Sequence, residues 1–480
     1  MLTKNRHPIG FYILTLAETI DRMGYYGIVS VLVLYLTKQF LFSDTDAYLM
    51  FGVYTALAFA TPVLGGYLAD RFFGLQTALL TGMVLIILGN LLLIITTLNA
   101  FYVGLALVVL GIGFFKGNAT TQLGLCYREQ PALRDSGYNL YYMGMNAGNI
   151  IGPILFGFTA LKFGWYLGFV VSALVMLIAS VLYVFYGRYF AQHNNTPLYR
   201  RSRKTLGYVG IPLILGLLVI ILILLKWPMF FSFFMGLFLV ILAIGLFRLL
   251  KKLTKMERNR VLVFVLLTVW SIVIVEGEVQ VGSSLTLYLD HIVNHTIAGF
   301  KIPIEFFVSL EPIAVILLAV ILNPWFKYVG LKYGHAAAPS LMVLGLFLNG
   351  ISFAIFGLSA EVPILWHGMN LVLGMVILGN VFLGAGDLVS TPAVMGVVEF
   401  LAPKGLQSSF MGIYFLGCSL AGYLSSLIIS GGQLILHGMS DPVHVAFYQD
   451  AFWLTACITF GVTLIAYLLA PTLKRMMAIT

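Results

Sequence analysis

AETIDRMGYYG, residues Ala17 to Gly27, lies inside an apolar run that extends from about position 10 to about position 37. Roughly 20 apolar residues suffice to cross the hydrocarbon of a bilayer as a helix, so the run reads as a membrane span. Glu18, Asp21 and Arg22 interrupt it. An ionisable side chain at the bilayer centre costs about 3 kcal/mol on insertion scales, and such groups face a bundle interior or a wet cavity. Glu18, Asp21, Arg22 and Tyr25 are spaced i, i+3, i+4, i+7, which puts them on one helix face. The stretch therefore predicts a helix of a polytopic bundle with one polar stripe turned inward. Asp21 and Arg22 differ by about 100° around the axis, so both can look into the same cavity, where the guanidinium can hold a carboxylate.

The rest of the chain carries the same signature. Of 480 residues, 60% are hydrophobic and 9% charged, whereas soluble domains carry about 25% charge; the mean hydropathy is +1.00. Fourteen apolar segments are legible at about 10–37, 46–69, 76–98, 101–125, 137–161, 164–187, 206–226, 229–250, 261–289, 304–327, 336–358, 366–395, 406–430 and 447–472. Segments of this length satisfy their backbone as helices, and the short alternating strands of an outer-membrane barrel are missing. The expected fold class is an all-α membrane protein. The net charge of +9 is explained by loops on one side, with Arg71, Arg128, Arg134, Arg188, Arg200, Arg201, Arg203, Lys204, Lys251 to Arg260, Lys327, Lys332, Lys404, Lys474 and Arg475. Asp44, Asp46, Glu361, Asp441 and Asp450 mark the other side. That asymmetry is the positive-inside pattern; it places both termini in the cytoplasm and argues against a nucleic-acid partner. Cys126, Cys418 and Cys457 show no paired or metal-ligand spacing, and the first span has no cleavage site after it, so it is retained.

Two halves of six spans emerge: 1–190, then a basic linker with an inserted apolar pair over 191–260, then 261–480. The inserted pair has almost no polar residue at helical spacing and reads as structural. GGYLADRFFG (Gly65–Gly74), after the second span, places Asp70 and Arg71 in a tight turn bounded by glycines; FKYVGLKYG (Phe326–Gly334) occupies the corresponding position in the other half. Repetition at equivalent positions marks a transporter built from parallel repeats.

Further charges fall at bilayer depth. Lys116, in GIGFFKGN, is near Asn118 and reads as a counterion, with Asp387 in GAGDLVSTP as its candidate partner. In VEGEVQVGSS, Glu276, Gln280 and Ser283 share a face, while Glu278 is about 200° from Glu276. On a regular helix only one glutamate can line a cavity, and the reading favours Glu276; unwinding at Gly277 would alter this. Glu311 precedes Pro312, which can kink the tenth span and leave the carboxylate as a site group or as a cap at the break. No HExxH, GxSxG or GxxxxGK[ST] run occurs, so neither an enzyme nor an ATP-driven pump has residue support, and no cofactor is expected.

With these residues placed, the chain resembles the proton-coupled oligopeptide transporter family of the major facilitator superfamily over nearly its full length. ETIDRMGYY resembles the ExxERxxYY signature of the first span, and GGYLADRFFG and GFFKGN resemble the second- and fourth-span motifs. RDSGYNLYYMGMNAGNIIGP (Arg134–Pro153), GDLVSTP and EFLAPKGLQSSFMGIYFLG resemble later signatures. The resemblance implies the major facilitator fold, two six-helix bundles with two extra helices between them, as in bacterial members. It implies a monomer in the bacterial inner membrane, importing di- and tripeptides by alternating access with the proton gradient as driving force. By the same resemblance Glu18, Asp21 and Arg22 would couple protons, while Arg22, Tyr25, Tyr26, Lys116, Asn146 and Asp387 would line the substrate site. The residues' own positions add Asp387 and Glu276 as coupling candidates and Tyr54, Gln280, Ser283 and Glu311 as substrate-site candidates.

The departures are specific. Asp21 and Asp387 stand where the family usually has Glu, and Phe59 where a site Tyr is common. Val29 and Val279 occupy positions of an Arg and a Glu that the family pairs across an extracellular gate, and Glu311 replaces an Asn. These changes make the second-half pocket more negative, which leaves a cationic peptide-like or non-peptide solute as the alternative substrate. A non-transporting receptor is a further alternative, disfavoured by retention of the three first-span charges.

Overall fold

The computed structural model describes residues 6–130, 133–193, 203–225, 229–297, 299–366, 369–403, 406–436 and 445–477. Its elements are α1 (Ile9–Gln39), α2 (Asp44–Leu68), α3 (Leu75–Leu93), α4 (Leu98–Cys126), α5 (Arg134–Phe163), α6 (Tyr166–Phe185), α7 (Gly187–His193) and α8 (Arg203–Leu225). They continue with α9 (Met229–Leu250), α10 (Lys255–Val281), α11 (Ser284–His291), α12 (Leu310–Tyr333), α13 (Ala338–Trp366), α14 (Met369–Leu401), α15 (Gln407–Leu436) and α16 (Val445–Met477). All but the short α7 and α11 match the fourteen expected spans in order. Between α11 and α12 lies the small antiparallel hairpin of β1 (Thr296–Ile297) and β2 (Phe300–Lys301). Among the described residues nine stretches are long and apolar enough to cross a membrane, one of which, Ile304–Val362, contains both α12 and α13. Arg200, Arg201, Lys404 and Asp441, part of the loop charge pattern, lie outside the described residues.

The chain divides into two compact units. One comprises Met1–Leu41 and Leu57–Trp227; the other comprises Phe42–Ala56 and Pro228–Thr480. The inserted pair is therefore divided, α8 grouping with the first unit and α9 with the second. Inside the first unit α3 packs on α4, α1 on α5, and α3 on α6; inside the second α13 packs on α14, α10 on α15, and α13 on α16. Third on fourth, first on fifth and third on sixth is one packing scheme used twice, so the repeat read from two loop motifs extends to whole helices.

Those motifs also end alike. α2 continues past Leu68 as a π-helical turn, Ala69–Phe73, so Asp70 and Arg71 are helical rather than in an open turn. Gly74 closes it at φ 72°, and Gly334 follows α12 at φ 51°, a left-handed region where glycine meets no steric penalty. In the second unit, Thr254 and Glu257 form a reciprocal capping box at the start of α10, and Gly282 with Ser283 separates α10 from α11. The first turns of α2 are held within this unit by His291, whose Nδ1 lies 3.7 Å from Asp44 Oδ2 and 2.9 Å from the Tyr448 hydroxyl; its Nε2 lies 3.8 Å from Asp290.

Candidate functional site

In the first unit the predicted stripe on α1 forms one connected cluster. Glu18 and Asp21 are 1% and 4% exposed, and carboxylates so enclosed need partners. Arg22 Nε donates to Glu18 Oε1 at 3.1 Å, and the Tyr141 hydroxyl donates to Glu18 Oε2 at 2.8 Å. Only one of the five guanidinium donors is used in the bond to Glu18. Asp21 lies within electrostatic reach of Glu18, Arg22 and Lys116. Tyr25 is buried and meets the half-buried Tyr26 edge to face at 5.2 Å between ring centres.

Close helix approach fixes this geometry. Gly144, Gly148 and Gly152 recur at i+4 on α5 and face α1: a Cβ on Gly148 would collide with the Thr19 carbonyl oxygen and come within 2.7 Å of Arg22 Cβ. Thr19 Oγ1 donates to the Gly144 carbonyl at 3.0 Å. On α4, the Lys116 ammonium lies 4.8 Å from the centre of the Phe59 ring, a cation–π distance. Phe59 thus supplies a ring face where a tyrosine would add a hydroxyl. Asn118 and Asn146 are buried and donate to carbonyls of their own helices, those of Phe114 and Tyr142.

In the second unit the two glutamates of α10 separate as a regular helix demands. Gly277 does not unwind; it sits where a Cβ would come within 2.7 Å of the Asn349 amide. Glu276 is buried and accepts from Gln280 Nε2. Gln280 also donates to Thr455 Oγ1 at 2.9 Å and accepts from Ser284 at 3.1 Å. Ser283 is buried and returns its hydroxyl to the Val279 carbonyl. This is an internal network joining α10, α11 and α16. Glu278, on the opposite face, hydrogen-bonds Asp387 and is within electrostatic reach of Glu311; Asp387 also bonds Thr391. Glu278, Glu311 and Asp387 are half-buried. The structure thus brings Glu278, not the favoured Glu276, to Asp387 and within electrostatic reach of Glu311, because α14, which carries Asp387, packs on α10. Pro312 lies in the first turn of α12, after the 3-10 turn Ile304–Ser309. A missing N–H is tolerated there, so the break is a change of helix type, and Glu311 stands at a helix start that favours an acid.

A family model described as PTR2, POT family, matches residues 76–433. The chain belongs to the POT family. A dipeptide and tripeptide permease B from Photorhabdus luminescens is 26% identical, the match covering 98% of this chain and 97% of that one. A peptide transporter POT solved in complex with sulfate is 26% identical with a TM-score of 0.81, over 98% of this chain and 96% of that one. An alafosfalin complex of a POT mutant matches at 25% identity and a TM-score of 0.81, over the same shares. This POT chain is accordingly a multi-pass membrane protein with the fold of those transporters.

Two residues that bond to these clusters in this POT protein were not singled out by sequence reasoning. Tyr141 is one; it sits three residues before Gly144 and seven before Gly148, so the glycine spacing on α5 already marked its face as the one that meets α1. Thr391 is another, within the quoted GDLVSTP segment. Tyr54 is fully buried, on the part of α2 that belongs to the second unit. Val29 and Val279 are buried apolar residues, so this POT chain carries no charge at either position.

Proposed function

We propose that the protein is a proton-driven importer of di- and tripeptides, with both termini on the cytoplasmic side. A short peptide is a zwitterion, so its carrier must offer a cation to the carboxylate and an anion to the ammonium. The observation that carries the reading is the placement of these two chemistries. The first unit holds Arg22 and Lys116 beside Asp21, and the second holds Glu278, Glu311 and Asp387. Arg22 offers a planar fork to a carboxylate; Asp387 and its neighbours suit an ammonium group. Family membership and the named relatives support peptide as the substrate class.

Proton coupling has support in the same clusters. Glu278 and Asp387 lie within interaction range of each other, and two carboxyl groups that share a site favour keeping a proton between them. A carboxyl pair that keeps a proton until a substrate ammonium arrives couples the two ligands by mutual exclusion. In the first unit, Asp21 is a buried acid between two cations and a second acid. Its charge state alters the field on Arg22, and so the grip of Arg22 on a carboxylate.

The three acids of the second unit also favour a second reading, in which the preferred peptides carry an extra positive charge. Competition against uptake of labelled dialanine separates the possibilities. Inhibition by unlabelled neutral dipeptide supports the peptide reading, and its failure to compete defeats it. Stronger inhibition by a lysyl dipeptide than by a neutral one supports the cationic preference; equal inhibition removes it.

A further inference from the structure

Away from both charged clusters, α13 and α16 are drawn together over one part of their length and leave a groove over the other. Gly350 packs against the Phe460 ring and Gly357 against the Trp453 indole, where a Cβ would come within 2.7 and 3.0 Å. Glu361 Oε1 accepts from Trp453 Nε1 at 3.0 Å and from Gln449 Nε2 at 3.1 Å. From Phe460 onward the same two helices line an open groove of about 800 Å³. Ser340, Leu344 and Phe347 form its α13 side; Thr463, Tyr467 and Lys474 lie along its α16 side. At 1.5 Å per residue, Phe460 to Lys474 spans about 21 Å, more than half of the roughly 30 Å hydrocarbon core.

The walls are graded in polarity. Leu464 and Leu468 are 60% and 66% exposed on a membrane-spanning stretch, so what they meet is hydrocarbon. At one end stands Lys474, half-buried in the groove, with Arg475 exposed beside it. The turn Gly334–Ala337, which follows Lys332, enters α13 at this same end. No carboxylate is among the residues that line the groove. A long apolar slot closed by one ammonium complements an amphiphile with a single anionic head. A zwitterionic lipid would fill the slot equally but would bring its own cation against Lys474.

We propose that the groove between α13 and α16 binds one anionic phospholipid, an acyl chain along the slot and the phosphate at Lys474. Basic pockets between spanning helices hold anionic headgroups by the same attraction, and the lysine stem can lie on apolar surface while its ammonium reaches the phosphate.

Native mass spectrometry of the purified full-length protein tests this, with phosphatidylglycerol and phosphatidylcholine of equal chain length as probes. Wild type is expected to bind one phosphatidylglycerol about five-fold more tightly than phosphatidylcholine, the preference expected from one basic residue beside an anionic headgroup. Lys474→Gln is expected to erase that preference, Lys474→Arg to keep it, and Leu464→Trp to weaken both lipids. Equal binding of the two lipids by wild type would overturn the proposal, as would an unchanged preference in Lys474→Gln. Displacement of the lipid by millimolar inorganic phosphate would instead identify a plain anion site and overturn it. A dimer mass in place of lipid adducts would do the same, by showing that a second copy covers the face.

Discussion

Asp21 stands where opposing charges of the first unit meet. It is 4% exposed, one helical turn from Glu18, and within reach of both Arg22 and Lys116. On the proposed coupling, neutralising it removes a proton carrier while leaving Arg22 bonded to Glu18. Asp21→Asn is therefore expected to abolish gradient-driven accumulation yet spare counterflow exchange, measured on the same proteoliposomes; accumulation that survives would show that Asp21 is not required. The two glutamates of α10 make a second contrast. Glu276→Ala breaks a network shared by α10, α11 and α16, and a lost buried hydrogen-bond partner costs about 1–3 kcal/mol. It should lower the melting temperature and leave the pH profile of uptake in place. Glu278→Gln should do the reverse, shifting the pH profile with little change in melting. Identical effects of the two would refute the division of roles. The α1 stripe was legible in the sequence because spacing alone sets a helix face. The choice between Glu276 and Glu278 was not, because it depends on which helices, more than 30 residues away, cover each face of α10.

At the scale of elements, the contact between α1 and α5 determines whether the stripe keeps its shape. Gly148 lies where any Cβ would meet backbone and Arg22 itself, and overpacking a tight contact costs about 1–3 kcal/mol. Gly148→Ala is expected to lower thermal stability by that order and to raise the substrate KM, since Arg22 must shift. A variant with wild-type melting and KM would show that the two helices yield without disturbing the site. The fourteen long helices were readable from apolar run length, and their order holds. Local detail was less so. The π-helical continuation of α2 and the Gly282–Ser283 break depend on backbone packing, which hydropathy does not encode. Pro312 reads as an interior kink until the 3-10 turn before it is seen to move the start of α12 to Leu310.

At the scale of the molecule, two halves with 1–5, 3–4 and 3–6 helix packing in common carry different chemistry on their first helices, a mixed-charge stripe on α1 and two glutamates on α10. α2 is divided between the units at Ala56 and Leu57, and its first turns are held by His291 through Asp44. Sequence legibility is uneven here as well. The repeat was visible in two loop motifs, while the division of α2 follows from contacts made by its first turns with α11 and α16, which no local pattern reveals. That a proton gradient drives peptide accumulation through these clusters is tested most directly by labelled dialanine uptake into proteoliposomes with an interior one pH unit more alkaline than the medium. Coupling of one proton per peptide predicts internal accumulation approaching about tenfold, collapsing when a protonophore is added. Internal peptide that never exceeds the external concentration, or accumulation indifferent to the protonophore, would contradict the account.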